Sequence, residues 1–157
     1  MTRFLGLGTL TLALVLLLTG QASAQTFNAA LSGAEETPAL NTGAVGTAEV
    51  SLDASARELA ITVRVFNLPT ASTAGHIHAG GRGTAGPVII NFPTTIAGRT
   101  GDFSMTFRVG ERDFVQRPAQ GILSFDDAVQ AILLGNTYVN IHTTQNPAGE
   151  IRGQLTR

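Results

Sequence analysis

From about residue 25 onward the chain alternates. β-Branched, aliphatic and aromatic residues trade places with polar ones, and glycine, proline or asparagine interrupts the run about every eight to twelve residues. Successive side chains of a strand point to opposite faces, so this period of two fits strands with one buried face and does not fit helices. "TFNAALSG" places Phe27, Ala29 and Leu31 on one face, and "GTAEVSL" does the same with Ala48, Val50 and Leu52. "DASAR" reads as a turn into "ELAITVRVFNL", where Leu59, Ile61, Val63 and Val65 alternate against Ala60, Thr62 and Arg64. That pair is the clearest hairpin. "AGHIHAG", "PVIINF", "GDFSMTFRV", "TYVNIHT" and "EIRGQL" complete a set of about eight short strands. One-sided patterning of this kind predicts an all-β fold, an antiparallel Greek-key-like sandwich.

One segment departs from the period. In "LSFDDAVQAILLGN", Phe125, Val129, Ile132 and Leu133 recur at helical spacing. Ser124 with Asp127 has the form of a capping box, Asp126 and Asp127 sit where the helix dipole favours anions, and Gly135 is placed to end the helix. One short helix covering the sheet is expected.

The first residues tell of destination. Arg3, an apolar run from Phe4 to Leu18, and small residues at Ala22 and Ala24 predict a signal peptide over 1–24, cleaved after Ala24. The run is shorter than the roughly 20 residues that span a bilayer, so no integral membrane segment is expected after cleavage. The expected location is the periplasm, the cell surface or the extracellular medium. Residues 25–157 then form one domain, a length that buries a core without staples. There is no cysteine, which removes disulfides, thiolate metal sites and a lipoprotein anchor. All basic residues are arginines; without Arg3, nine face eleven acids, a net charge of about −2. They are scattered singly, so no basic stripe suggests nucleic acid as a partner.

The chain has three histidines. His76 and His78 flank Ile77, so when Ile77 enters the core both imidazoles stand together on the opposite face, about 7 Å apart. Val139 and Ile141 turn inward in the same way, leaving Tyr138, Asn140 and His142 outward. Imidazoles that converge bind copper or zinc at about 2.0–2.1 Å per nitrogen. "HTTQNPAGEI" reads as a hairpin loop. If Thr143 lies opposite Gly149, then His142 faces Glu150 and Asn140 faces Arg152. Glu150, with Asn140 and Arg152 beside it, is then placed to orient the imidazole or add a ligand oxygen, and Arg152 to pair with Glu150. The spacing alone leaves a second reading open, in which the histidines are solvated or fix a loop by bonding its backbone.

Other motifs carry less. "GGRGTAGP" lacks the Lys-Ser/Thr and helix of a phosphate cradle. Glu35–Glu36 and Asp126–Asp127 are adjacent pairs whose members point apart, and they read as edge and cap residues. No G-x-S-x-G elbow occurs, and Ser124 reads as a cap. No catalytic residue is assigned.

"FNAALSGAEETPALNTGAVGTAEVSLD", "LAITVRVFNLPTASTAGHIHAGGRGTAGPVIINF" and "YVNIHTTQNPAGEIRGQL" resemble the CHRD domain, named for its repeats in chordin and used by bacteria as a secreted single domain. The resemblance spans about Thr26 to Leu155, and His76, His78, His142, Glu150 and Arg152 fall within its motif blocks. It implies little about activity. A looser similarity is to Cu/Zn superoxide dismutase, a sandwich with an H-x-H pair on one strand; that site needs more histidines than this chain has. Three functional readings follow. The first is an exported, non-enzymatic domain holding a copper or zinc ion through a surface histidine cluster. The second is an adhesion or matrix module for an envelope protein, extracellular protein or glycan. The third is a three-histidine copper redox enzyme.

Overall fold

A computed structural model describes residues 25–53 and 57–157. The expected signal peptide over 1–24 lies outside the described residues, as does the middle of the "DASAR" turn. The strands are β1 (Gln25–Ser32), β2 (Val45–Asp53), β3 (Glu58–Leu68), β4 (Ser72–Ala79), β5 (Val88–Asn91), β6 (Gly101–Val109), β7 (Thr137–Thr143) and β8 (Ile151–Gln154), with helix α1 (Phe125–Leu133) between β6 and β7. The expected all-β architecture with one short helix is present. Its two layers are halves of one continuous antiparallel sheet, ordered β5-β4-β7-β8-β1-β2-β3-β6.

The sheet curls about its middle, where β8 meets β1. Ser32 pairs with Arg152, and Asn28 exchanges backbone hydrogen bonds with Thr156 at 2.7 and 2.9 Å. Gly153 permits this approach: a Cβ there would stand 2.1 Å from the Ala30 carbonyl oxygen. Curling brings Val50, Ile61 and Val63 of one half into a common core with Ile77, Val139 and Ile141 of the other, all fully buried. The outer strands close towards each other, with the Phe92 and Phe107 rings 4.9 Å apart.

The β2–β3 hairpin pairs Leu52 with Leu59 and Val50 with Ile61, in keeping with the alternation. Phe103, Met105 and Phe107 on β6 are only partly buried, because β6 is an edge strand and covers one margin of the core. In α1 the buried stripe is Phe125, Ala128 and Ile132, turned slightly from the expected one; Val129 and Leu133 pack at its flank. The cap is as expected: the Asp127 N–H donates to Ser124 Oγ at 3.2 Å, and the Ser124 N–H to Asp127 Oδ2 at 2.9 Å. Gly135, at φ 71°, leaves the helix in the left-handed region. Among the described residues no helix is long and apolar enough to cross a membrane.

Candidate metal centre

Strands β4 and β7 are neighbours, and their pairing decides which side chains meet. A bulge between Ser72 and Ala74 absorbs one residue; from there Ala74 pairs with His142, His76 with Asn140 and His78 with Tyr138. All six stand on the face opposite Ile77 and Ile141. His142 is thus one diagonal step from His76, within reach of a long ring. Ring centroids are 4.8 Å apart for His76–His142, 5.5 Å for His76–His78 and 5.7 Å for His78–His142. One nitrogen from each ring lies within 4.8 Å of the others. Nitrogens sharing a tetrahedral ion at these bond lengths are about 3.3 Å apart. The His76 Nδ1–His142 Nε2 pair, at 3.0 Å, already meets that spacing. The widest gap, at most 4.8 Å, closes with about 1.5 Å of side-chain movement.

Backbone carbonyls set the tautomers. His78 Nδ1 lies 2.9 Å from the Gly86 oxygen, and His142 Nδ1 lies 3.0 Å from the Pro147 oxygen. A carbonyl only accepts, so both Nδ1 atoms carry the hydrogen and both Nε2 atoms present a lone pair. In the metal-free protein His142 Nε2 therefore accepts from His76 Nδ1, and for this pair to share an ion the His76 hydrogen has to sit on its other ring nitrogen, Nε2. His78 Nε2 is buried and has no hydrogen-bond partner among the described residues. A metal-bound histidine commonly donates its second N–H to just such an acceptor.

The site differs in one respect from the expected surface cluster. The polar face of β4, β7 and β8 is turned from the hydrophobic core, yet loops roof it. His78 and His142 are each 7% exposed, and every residue of β7 is buried. The loop over 80–87 is fastened through Gly86 to His78 and Tyr138, and through Thr84 to Arg152. A second cover, over 33–44, is tied down by an ion pair between Glu35 and Arg82 and by the Thr42 hydroxyl on Glu150. His76 is half-buried and borders an open cavity of about 530 Å³ that Asn91, Phe92 and Pro93 also line, which gives the cluster a route to solvent.

Burial keeps the rings neutral. His76 falls to about 4 through burial and then through its neighbours His142 and His78. His78 falls to about 4 mainly through burial; the Gly86 carbonyl opposes this, while His142, Arg152 and Arg117 add to it. His142 is also lowered by burial, against the pull of Pro147. All three rings thus stay neutral below the pH 6.5 at which a free imidazole protonates.

Glu150, Asn140 and Arg152 take other tasks than those their pairing suggests. Asn140 does pair with Arg152, and the Glu150 N–H donates to the Ile141 carbonyl at 2.8 Å. The Glu150 carboxylate, however, accepts from Thr42, from Thr143 Oγ1 at 2.8 Å and from Asn146 Nδ2 at 2.6 Å. Burial raises its pKa, and these donors more than reverse that. His142 is oriented by the Pro147 carbonyl instead. Arg152 forms no ion pair with Glu150 among the described residues: its guanidinium lies 4.3 Å from the Tyr138 ring centroid and donates to the Thr84 carbonyl at 3.2 Å. Tyr138 in turn stacks on His78 at 4.9 Å.

Sequence reasoning missed Gly86 and Pro147, whose carbonyls carry no side-chain signature. It also read Glu36 as an edge residue. Glu36 is half-buried beside Asn140 and Arg152, and burial pushes its carboxyl up to about 7 against the pull of Arg152 and Asn140.

The fold and site define a single-sheet β domain with a roofed histidine triad. The CHRD domain family model matches residues 27–155, and the chain belongs to that family. No match was found among curated proteins or among solved structures.

Proposed function

We propose that this protein is an exported, non-enzymatic domain that binds copper or zinc through His76, His78 and His142. The observation that carries this reading is the His78 Nε2 lone pair. It is buried, its ring is fixed by the Gly86 carbonyl, and two further imidazole nitrogens lie within 4.8 Å. Leaving a buried acceptor unmet costs about 1–3 kcal/mol, which a bound ion would recover. Neutral imidazole is the form that ligates, and burial holds all three rings in it. Glu150, the carboxylate that the sequence pairs with His142, is held by three donors and turned from the rings, which supports a binding role over a proton-transfer role for it. Calorimetric titration of the metal-stripped domain tests the proposal. One ion per chain is expected for the wild type, with loss of uptake in His76→Ala/His78→Ala. Equally weak uptake by both proteins overturns it.

A further inference from the structure

The charges around the triad bear on which ion it holds, an inference that rests on the metal-binding reading above. His78 is flanked by guanidinium groups on both sides. On the β7 side Arg152 lies over Tyr138, which stacks on His78. On the β5 side Val88 pairs with His78, and the Val88 carbonyl accepts from Arg117 Nε at 2.6 Å. Among the described residues no carboxylate contacts the rings: the Glu150 oxygens are turned to Thr42, Thr143 and Asn146, and Glu36, the carboxyl beside Arg152, is raised by burial to about 7 and so carries only part of a charge near neutral pH. The donor set itself is three neutral nitrogens.

From this arrangement we infer that the triad is a site for monovalent copper, Cu⁺, in preference to Cu²⁺ or Zn²⁺. An ion here adds its charge to two nearby guanidinium charges with no anionic ligand to neutralise it, so each further unit of charge is opposed. At an effective dielectric of ~20, one unit charge at a separation on the order of 10 Å disfavours a further unit charge by roughly an order of magnitude, so two such charges set an upper bias of roughly a hundredfold. Coordination number works in the same direction. A divalent ion on three histidines seeks a fourth ligand, and with His78 and His142 buried only the His76 side can admit one. Three-coordinate Cu⁺ needs none.

The test uses the metal-stripped domain with three ions. Cu⁺, kept reduced by ascorbate without oxygen, competes against bicinchoninate; Cu²⁺ and Zn²⁺ compete against their own chromophoric chelators. The midpoint potential of bound copper is measured beside them. Tightest retention of Cu⁺ is expected, with a midpoint above the aqueous couple by up to a roughly hundredfold bias, about 120 mV at ~59 mV per decade for one electron. Arg152 is deeply buried, so the informative variant is Arg117→Gln, expected to lower the midpoint by about one decade, ~59 mV, with Arg117→Lys restoring it. Tighter Cu²⁺ or Zn²⁺, or a midpoint unmoved by Arg117→Gln, overturns the preference for Cu⁺ while leaving metal binding in place. Retention of none of the three ions overturns the metal reading and this inference with it.

Discussion

Acidification of the metal-free domain exposes the cost of holding its histidines neutral. The folded pKa of His78 lies at about 4 and that of the unfolded chain near 6.5. A histidine lowered on folding contributes stability that is full above pH 6.5 and is lost as pH falls toward its folded value, because the unfolded chain takes up the proton first. At ~1.36 kcal/mol per unit, His78 accounts for about 2–3 kcal/mol between pH 6.5 and 4.5. His76, half-exposed and screened by solvent, adds about 1 kcal/mol after discounting. Because His76 and His142 share a hydrogen bond, the loss belongs to the cluster and not to single rings. Glu36 acts with the opposite sign. Its carboxyl is raised to about 7, so its contribution is full below about pH 4.5 and is lost as pH rises through 7. Discounted for exposure, that is about 1–2 kcal/mol. Wild type is therefore expected to lose a net ~2 kcal/mol from pH 7 to 4.5, and Glu36→Gln to lose ~3–4 kcal/mol, starting about 1–2 kcal/mol more stable at pH 8. Urea unfolding with a chelator present, followed by the fluorescence of the chain's one tyrosine, Tyr138, measures this. The lowered carboxylates Glu150 and Asp127 begin to lose their own contribution only as pH nears the ordinary carboxylate range, where the unfolded chain takes up protons first, so they add to the acid loss at the lower end and do so in wild type and variant alike. Wild-type stability that stays flat or rises on acidification, or a Glu36→Gln variant weaker than wild type at pH 8, would refute the reasoning.

Other consequences can be checked separately. Gly153→Ala forces a Cβ against the Ala30 carbonyl at the seam between β8 and β1, and is expected to destabilise by about 1–3 kcal/mol, read as a lower thermal midpoint. Glu150→Gln removes a charged acceptor of three hydrogen bonds, so a loss of about 2–3 kcal/mol in denaturant unfolding is expected. The same variant is expected to keep metal affinity within a few-fold of wild type, since Glu150 does not touch the imidazoles; a large loss of affinity would assign it a ligand role after all.

What was legible in the sequence follows from which forces are local. A period of two with one apolar face determines strand faces, so Ile77 and Ile141 inward and three histidines on the opposite face could be read directly. The hairpin from β7 to β8 has a short loop that limits its register, and Asn140 does face Arg152. The meeting of His76 and His142, 66 residues apart, rested on strand order, which periodicity does not encode. Cover over the polar face was hidden for another reason. It comes from glycine- and proline-rich loops that act through backbone carbonyls, as Gly86 and Pro147 do. Thr42 reaches Glu150 across 108 residues, so the diversion of that carboxylate from His142 had no local sign. In the helix, Ala128 stands in the buried stripe where the sequence pattern, weighted to larger side chains, put Val129 and Leu133, which are only partly buried.

The central claim is that one ion draws nitrogen from all three imidazoles. X-ray absorption at the metal edge of the copper-loaded or zinc-loaded domain measures this most directly. The account predicts a first shell of three nitrogens near 2.0 Å with the outer-shell scattering of three imidazole rings. A shell dominated by oxygen, or one with scattering from a single imidazole, would contradict it.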